Sequence, residues 1–329
     1  MKKILVVGCG SIGQRHIRAL LKLEDELIIA AFRTKQGHHK DLPNDIISNI
    51  IQFEDLGKAL AWHPTHMIIS NPTSLHAEFI KVGIKAECKL FIEKPLVQNY
   101  SDLENIGISM DKIIDYPGMV GFNLRFNSVI RKVKDVIDSQ KYGKVIYSNI
   151  SVGHYLPLWH PYEDYRKGYY ARKNLGGGVL RTLSHELDLI QHFFGGIINL
   201  TARMEKLSDL EIDVEDCVDI IFELRDCKRV TLHMDYLNPL PLRQGKIIFE
   251  KAMLEYDFFS NEIYTTEYET QKRELLFKNT DDYDEQYIKQ MKHFVDAKES
   301  EVASKISNSF VIMKIIGKCE KSNGNLETI

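Results

Sequence analysis

The chain has 329 residues, 44% of them hydrophobic and 27% charged, with a formal net charge of −3. That length accommodates about two domains with buried cores, and the near balance of charge gives no general attraction to nucleic acid or to an anionic membrane. No apolar run approaches the ~20 residues of a membrane helix, the start MKKILVVGCG is too short in apolar residues for a signal peptide, and the scattered cysteines lack any C-x-x-C pair, so the expectation is a cytoplasmic globular protein with reduced thiols.

In chain order, Lys2–Val7, Leu27–Phe32, Asn49–Phe53, His66–Ser70, Lys89–Glu93 and Met119–Phe122 are short apolar runs that predict strands. Ile12–Leu23, Glu54–Trp62, Ser74–Ala86 and Ser101–Ile114 carry helical spacing between them. Strands that are apolar at consecutive positions are expected where helices cover both faces of a parallel sheet. The alternation therefore predicts an α/β fold, a doubly wound Rossmann domain over residues 1–122. From residue 123 the rhythm changes. A helix at Ser128–Gln140 and a strand at Lys144–Gly153 precede a loop rich in aromatic and basic residues, His154–Asn174. A helix at Leu183–Phe194 follows. Strands at Ile197–Lys206, Val218–Leu224, Arg229–Tyr236, Lys246–Phe258 and Ile263–Thr266 come next, then helices at Tyr283–Ala297 and Ser304–Glu320 with a polar tail. That order predicts an α+β second domain, residues 123–329, around an open and mostly antiparallel sheet for substrate binding and dimerisation.

Gly8-Cys9-Gly10-Ser11-Ile12-Gly13 is a complete G-x-G-x-x-G between the first strand and the first helix. In that context the first glycine makes the tight turn, the second lets a pyrophosphate approach the backbone, and the third lets helix and strand pack closely. Backbone N–H groups at the helix start, around Ser11 and Ile12, would meet the phosphates. NAD sites usually carry an acidic residue about 20 positions on, at the end of the second strand. Here that place reads Phe32-Arg33-Thr34-Lys35, with His38, His39 and Lys40 after it. Arg33 and Thr34 suit a 2′-phosphate, so NADP is the preferred cofactor and NAD the alternative; a solvated basic loop is the plainer reading.

Three further segments carry a family resemblance. They are Glu93-Lys94-Pro95, preceded by Ser70-Asn71-Pro72-Thr73 and His76; Gly121-Phe122-Asn123-Leu124-Arg125-Phe126; and Asn174-Leu175-Gly176-Gly177-Gly178 leading into Thr182-Leu183-Ser184-His185-Glu186-Leu187-Asp188. With these the chain resembles the Gfo/Idh/MocA family of oxidoreductases over nearly its whole length. Asp235-Tyr236 followed by Pro241 and Arg243 is similar to a stretch of members that act on sugars. The resemblance implies a dehydrogenase or reductase that interconverts a hydroxyl and a ketone on a sugar or sugar derivative, with a nucleotide-linked or amino sugar of surface polysaccharide synthesis as one substrate class. It implies Lys94 beside the nicotinamide and His185 facing it across the substrate, and it allows a cis peptide before Pro95. Asn71, Pro72, His76, Glu93 and Asn123 are implied cofactor contacts, and Arg125, Tyr165 and Thr182 implied substrate contacts. One departure stands out: many members carry an aspartate where this chain has Thr182.

Chemistry supports the same two residues. Moving a hydride to or from a carbinol carbon requires a proton to leave or join the oxygen, which a histidine, or a lysine of lowered pKa, does near neutrality. The plainer readings are a lysine that ends a strand and reaches solvent, and a buried structural histidine. No metal is expected: His185-Glu186 begins like H-E-x-x-H, but Leu189 stands where the second ligand belongs. Ser184 lacks a nucleophile-elbow context and reads as helix surface. The loop with Trp159, His160, Tyr162, Tyr165, Arg166, Tyr169 and Arg172 reads as a sugar- or phosphate-contacting loop or as ordinary packing. The alternatives to the sugar oxidoreductase are a free cyclitol or aldose dehydrogenase and a catalytically silent dinucleotide sensor or co-regulator of the same fold. The expected partners are a small sugar and further copies of the chain, a dimer or tetramer formed through the second domain's sheet.

Overall fold

In the computed structural model of the chain the described residues are 1–24, 26–33, 42–159, 161, 163–322 and 326–329. Six strands, β1 (Lys2–Val7), β2 (Leu27–Phe32), β3 (Ile51–Phe53), β4 (His66–Ile69), β5 (Lys89–Ile92) and β6 (Gly118–Val120), line up in the order β3-β2-β1-β4-β5-β6. Every neighbouring pair is parallel. Ile4, Leu5, Val6 and Val7 are all buried, as both-face coverage by helices requires. The strand order reverses between β1 and β4, and at such a switch point the carboxyl ends of the strands open a crevice.

The other sheet has nine strands: β7 (Val145–Gly153), β8 (Ile197–Glu205), β9 (Cys217–Leu224), β10 (Arg229–Asp235), β11 (Leu242–Phe249), β12 (Ala252–Asp257), β13 (Glu262–Glu267), β14 (Arg273–Lys278) and β15 (Leu326–Thr328), ordered β14-β13-β12-β11-β7-β10-β9-β8-β15. Only β7 and β10 pair in parallel. Strand β9 alternates cleanly: Val218, Ile220, Phe222 and Leu224 are buried while Asp219, Ile221 and Glu223 are exposed. One face of this sheet is thus a core surface and the other is open.

The two compact units are residues 1–126 with 282–313, and residues 127–281 with 314–329. This differs from two consecutive blocks meeting at residue 122. The helix Glu285–Asp296 belongs to the first unit because Tyr287, Met291, Phe294 and Val295 share a core with Ile4, Val6, Ile17 and Phe91. Ser304 secures the next segment there, its hydroxyl donating to the Val120 carbonyl at 2.7 Å.

Several element boundaries also differ from expectation. The run Lys246–Phe258 is a hairpin rather than one strand, turning at Glu250-Lys251, whose N–H groups donate to the Lys144 and Tyr142 carbonyls. Ser101–Ile114 is two short helices, Tyr100–Glu104 and Met110–Ile114, because Gly107 takes a φ of +71° between them. The helix expected from Leu183 begins at His185 and runs to Phe194, after a separate short helix Val179–Thr182. Strands β14 and β15 were not anticipated from the sequence pattern.

Candidate functional site

In the first unit the glycine loop joins β1 to the helix Ser11–Leu21. Gly8 has a φ of +87°, and a Cβ on it would lie 2.6 Å from the Asn71 backbone; a Cβ on Gly13 would lie 2.1 Å from the Gly8 carbonyl oxygen. These two glycines let backbone meet backbone. Gly10 is different, for a Cβ there would meet nothing within 4 Å. The space before the helix N-terminus is open at the position where first-turn N–H groups lack intrahelical partners. Ser11 is exposed and Ile12 half-buried at that terminus. Gln14 donates to the Cys9 carbonyl at 3.0 Å, and the Ser70 hydroxyl lies 2.8 Å from the Gly8 carbonyl, so the loop is braced from both sides. Burial pushes the Cys9 thiol up to about 11, and the charge of Arg33, the residue after β2, pulls against that rise. Thr34, Lys35, His38, His39 and Lys40 lie outside the described residues. Both polar atoms of the Asn71 side-chain amide are buried with no hydrogen-bond partner among the described residues. An open cradle, a guanidinium and an unsatisfied amide fit a dinucleotide.

The two kinds of glycine make a prediction. Gly10→Val should leave the melting temperature near the parent's and weaken NAD(P)H binding by at least about tenfold, because the side chain fills the phosphate's space and not the protein's. Gly13→Val should lose binding and stability together, since its Cβ collides with backbone. Fluorescence titration and thermal melts of both variants check this; unchanged affinity in Gly10→Val would reduce the loop to a turn.

At the end of β5, Glu93 and Lys94 are half-buried and the Lys94–Pro95 peptide is cis. The Lys94 N–H donates to Glu93 Oε2 at 3.1 Å. His76 is 1% exposed. Its Nε2 lies 3.0 Å from the Asn71 carbonyl, and its Nδ1 lies 3.1 and 3.2 Å from the carbonyls of Pro95 and Leu96. Burial pushes this ring below the usual histidine range, against those carbonyls. His76 thus lies between the Asn71 loop and the Lys94-Pro95 turn, its single N–H in the neutral form donating to one side. Exposed Pro72 opens the short helix before it. Asn123 and Arg125 are both buried in the turn Asn123–Phe126, where an Arg125 guanidinium nitrogen donates to the Ala303 carbonyl.

In the second unit the glycine run is held by a carboxylate. Gly178 has a φ of +109°, a Cβ on it would lie 2.4 Å from Glu215 Oε1, and that oxygen accepts the Leu180 N–H at 3.1 Å. Burial raises the Glu215 pKa. Thr182 is 3% exposed, and the hydroxyl of the fully buried Tyr236 donates to the Tyr170 carbonyl at 3.4 Å. His185 is the half-buried first residue of its helix, between Ser184 and Glu186, both fully buried. Ser184 is therefore not helix surface: the chain breaks at Leu183 and turns it inward. Arg243 clasps Glu186 with Nε at 2.7 Å from Oε1 and a second nitrogen at 3.4 Å from Oε2, and its guanidinium lies over Phe258.

The aromatic and basic loop is largely self-satisfied. Arg166 pairs with Asp164 and Glu211, the Tyr165 hydroxyl accepts the Glu211 N–H at 3.3 Å, and Trp159 stacks on His154. His160 and Tyr162 lie outside the described residues. Among the described residues one group of metal-ligand types occurs, Cys217, Asp219 and His233, with ligand atoms within 4.8 Å of one another. His233, however, sits with Nδ1 2.8 Å from Asp219 and Nε2 3.1 Å from Asp235, and these bonds, Asp235 foremost, raise its pKa to about 9. A doubly donating imidazolium has no lone pair for a metal. The sequence reading overlooked His16, Glu215 and the Glu186–Arg243 pair; a buried-looking Glu186 in a helix was the one signal that a cation had to lie nearby.

A parallel sheet with a glycine loop at its switch point makes the first unit an NAD-binding Rossmann fold. The chain belongs to the GFO/IDH/MocA family: residues 2–112 match its oxidoreductase, NAD-binding Rossmann domain and residues 130–255 its C-terminal domain. It is 25% identical over 204 residues to myo-inositol 2-dehydrogenase of Thermotoga maritima, covering 59% of this chain and 55% of that protein. An inositol 2-dehydrogenase of Azotobacter vinelandii is 28% identical over 141 residues, 42% of each chain. The chain thus spans about half the length, or less, of these curated relatives. Among solved structures, levoglucosan dehydrogenase in complex with NADH superposes with a TM-score of 0.83 at 14% identity, covering 100% of this chain and 99% of that one. An inositol dehydrogenase homolog from Azotobacter vinelandii complexed with NAD+ gives 0.82 at 14% identity, covering 100% and 97%. Among the described residues no helix is long and apolar enough to cross a membrane.

Proposed function

We propose that the protein is an NAD(P)-dependent dehydrogenase or reductase that interconverts a hydroxyl and a ketone on a sugar or sugar derivative. The observation that carries this reading is Lys94, which follows β5 at the same carboxyl edge of the parallel sheet as the glycine loop after β1. The bound dinucleotide supplies or accepts the hydride. The chain's own part is to hold and move the proton: Lys94 and His185 are the groups assigned to it, as general acid and base on the carbinol oxygen. Arg125, Tyr165 and Thr182 remain substrate residues only in so far as a ligand redirects them, since Arg125 and Thr182 are buried and Arg125 donates to the Ala303 carbonyl.

The names of the relatives from Thermotoga and Azotobacter favour a second reading in the same class, a free cyclitol. A substrate panel containing inositols, free aldoses, amino sugars and a nucleotide-linked sugar of surface polysaccharide synthesis separates the two. Absorbance change of NADH or NADPH is the readout. Tight cofactor binding without turnover on any member of the panel would favour the silent-sensor reading. Unpaired cysteines, four of them buried, accord with a reducing, cytoplasmic setting. The open face of the nine-stranded sheet is the surface assigned to self-association. It exposes Tyr147 and Ile221 and holds a groove of about 690 Å³ lined by Tyr147, Lys246, Glu255, Tyr264 and Arg273 among others.

Cofactor choice is assigned to Arg33, with NADPH preferred. A charge-assisted hydrogen bond contributes roughly 1.5–3 kcal/mol, so NADPH should bind about 10- to 100-fold more tightly than NADH. Arg33→Ala should close most of that gap while sparing NADH affinity. Equal affinities in the parent protein would refute the preference and leave the oxidoreductase reading standing.

A further inference from the structure

The nucleotide loop and the Lys94 turn lie on different strands, yet one buried hydrogen bond joins them. His16 stands three residues past Gly13, the loop's last glycine, in the second turn of the helix Ser11–Leu21, and is completely buried. Its Nε2 lies 2.6 Å from Oε1 of Glu93, whose side chain is only 12% exposed. The other carboxylate oxygen, Oε2, accepts the Lys94 N–H at 3.1 Å. On the far side stands Gly121, where any Cβ would lie 2.8 Å from the same Oε1, so the strand end after β6 leaves room for the carboxylate and for nothing more. The His16 ring is walled by Phe91, edge-on at 4.9 Å, and by Tyr287 at 6.2 Å. Its Nδ1 has no hydrogen-bond partner among the described residues. A proton on Nδ1 would be a buried donor without an acceptor, whereas an unmatched lone pair there costs less. The arrangement therefore selects the tautomer with its proton on Nε2, aimed at Glu93.

We infer that His16 is a positioning residue: through Glu93 it fixes the backbone that carries Lys94, and so locks the lysine in register with the dinucleotide loop that opens the same helix. The inference rests on the proposed role of Lys94 but not on which sugar is turned over. A histidine kept solely to fill core would tolerate a ring of similar size without the donor. Nothing apolar can replace the contact to Glu93, because a carboxylate losing its buried donor must find water or take up a proton, and either moves the turn. His76 Nδ1 lies 3.1 and 3.2 Å from the carbonyls of Pro95 and Leu96, so buried imidazoles stand on both sides of Lys94.

The test compares His16→Phe, which keeps a ring and removes the donor, with His16→Gln, whose amide can restore a donor near the place of Nε2. Displacements of ~1 Å in a catalytic group cost up to about 100-fold in rate. His16→Phe should therefore lower kcat about 10- to 100-fold with the KM for the sugar changed far less, and His16→Gln should recover most of the loss. A second readout needs no turnover: reductive ¹³C-methylation of the lysines, with the Lys94 signal assigned by its loss in Lys94→Arg. In His16→Phe the Lys94 resonance and its titration midpoint should move, and in His16→Gln they should return toward the parent's. If the parent turns over no sugar, the Lys94 resonance alone decides the inference, and the failure lies with the proposed activity. An unmoved Lys94 resonance in a folded His16→Phe overturns the inference, as does a loss of kcat that His16→Gln leaves unrepaired while both variants melt equally early.

Discussion

Lys94→Ala and His185→Ala should each lower kcat by roughly 10²–10⁴, the usual contribution of general acid–base catalysis. The basis is the same for both: hydride movement at a carbinol carbon leaves a proton on the wrong atom, and without a positioned group the proton must be exchanged with water. Lys94 is half-buried at the carboxyl edge of the parallel sheet, and His185 is the half-buried head of a helix whose neighbouring positions are fully buried. Neither change touches the glycine loop, so NAD(P)H affinity in Lys94→Ala and His185→Ala should stay within a few-fold of the parent, about 1 kcal/mol or less. The double variant should lose less than the product of the single losses, because groups that act on one proton are not additive. Steady-state kinetics on the best substrate of the panel, with cofactor titrations beside them, measure all three. His185→Ala with parental kcat would make the histidine structural and leave Lys94 as the only proton carrier.

The sequence disclosed the parallel sheet well because its strands are apolar at consecutive positions: β1 and β2 have the boundaries their composition predicts. The β11–β12 hairpin was hidden for a plain reason. Its turn, Glu250-Lys251, holds no glycine, asparagine or proline, and the backbone is steadied instead by carbonyls of Tyr142 and Lys144, about a hundred residues away. Likewise an apolar stripe such as Tyr287, Met291 and Phe294 announces a helix but not which core it joins, so the return of residues 282–313 to the first unit was not legible. In the site, the glycines could be assigned from their spacing because backbone geometry is local. His16 could not, since in sequence it is one more polar residue on an amphipathic helix and its meaning comes only from Glu93, 77 positions on. Thr182 illustrates the converse. Its type excluded an acid in advance, and the structure adds that the side chain is buried, at 3% exposure.

Arg243→Met should be the most destabilising of the substitutions considered. The Glu186 side chain is 1% exposed and that of Arg243 13%, with the shorter contact at 2.7 Å, so the pair is buried and closely matched in geometry. Removing one member of such a pair costs about 3–5 kcal/mol, because the remaining charge is left in a medium that cannot solvate it. For a unit of this size that corresponds to a fall of roughly 6–20 °C in the melting temperature. Stability loss should depend on pH in a definite sense. Without Arg243, Glu186 can escape by taking up a proton, so its folded-state pKa rises above the ordinary glutamate value of about 4.3. The folded variant then binds more protons than the unfolded chain above that value, and its stability falls as pH rises. The deficit relative to the parent should accordingly be smaller at pH 5 than at pH 8. Pairing the change with Glu186→Leu should return most of the lost stability, since a buried ion pair replaced whole by apolar groups is close to neutral. Thermal melts of the parent, both single variants and the double variant at the two pH values complete the cycle. A deficit in Arg243→Met below about 1 kcal/mol, or one equal at both pH values, would mean that water reaches Glu186 and that the pair does not hold the helix behind His185.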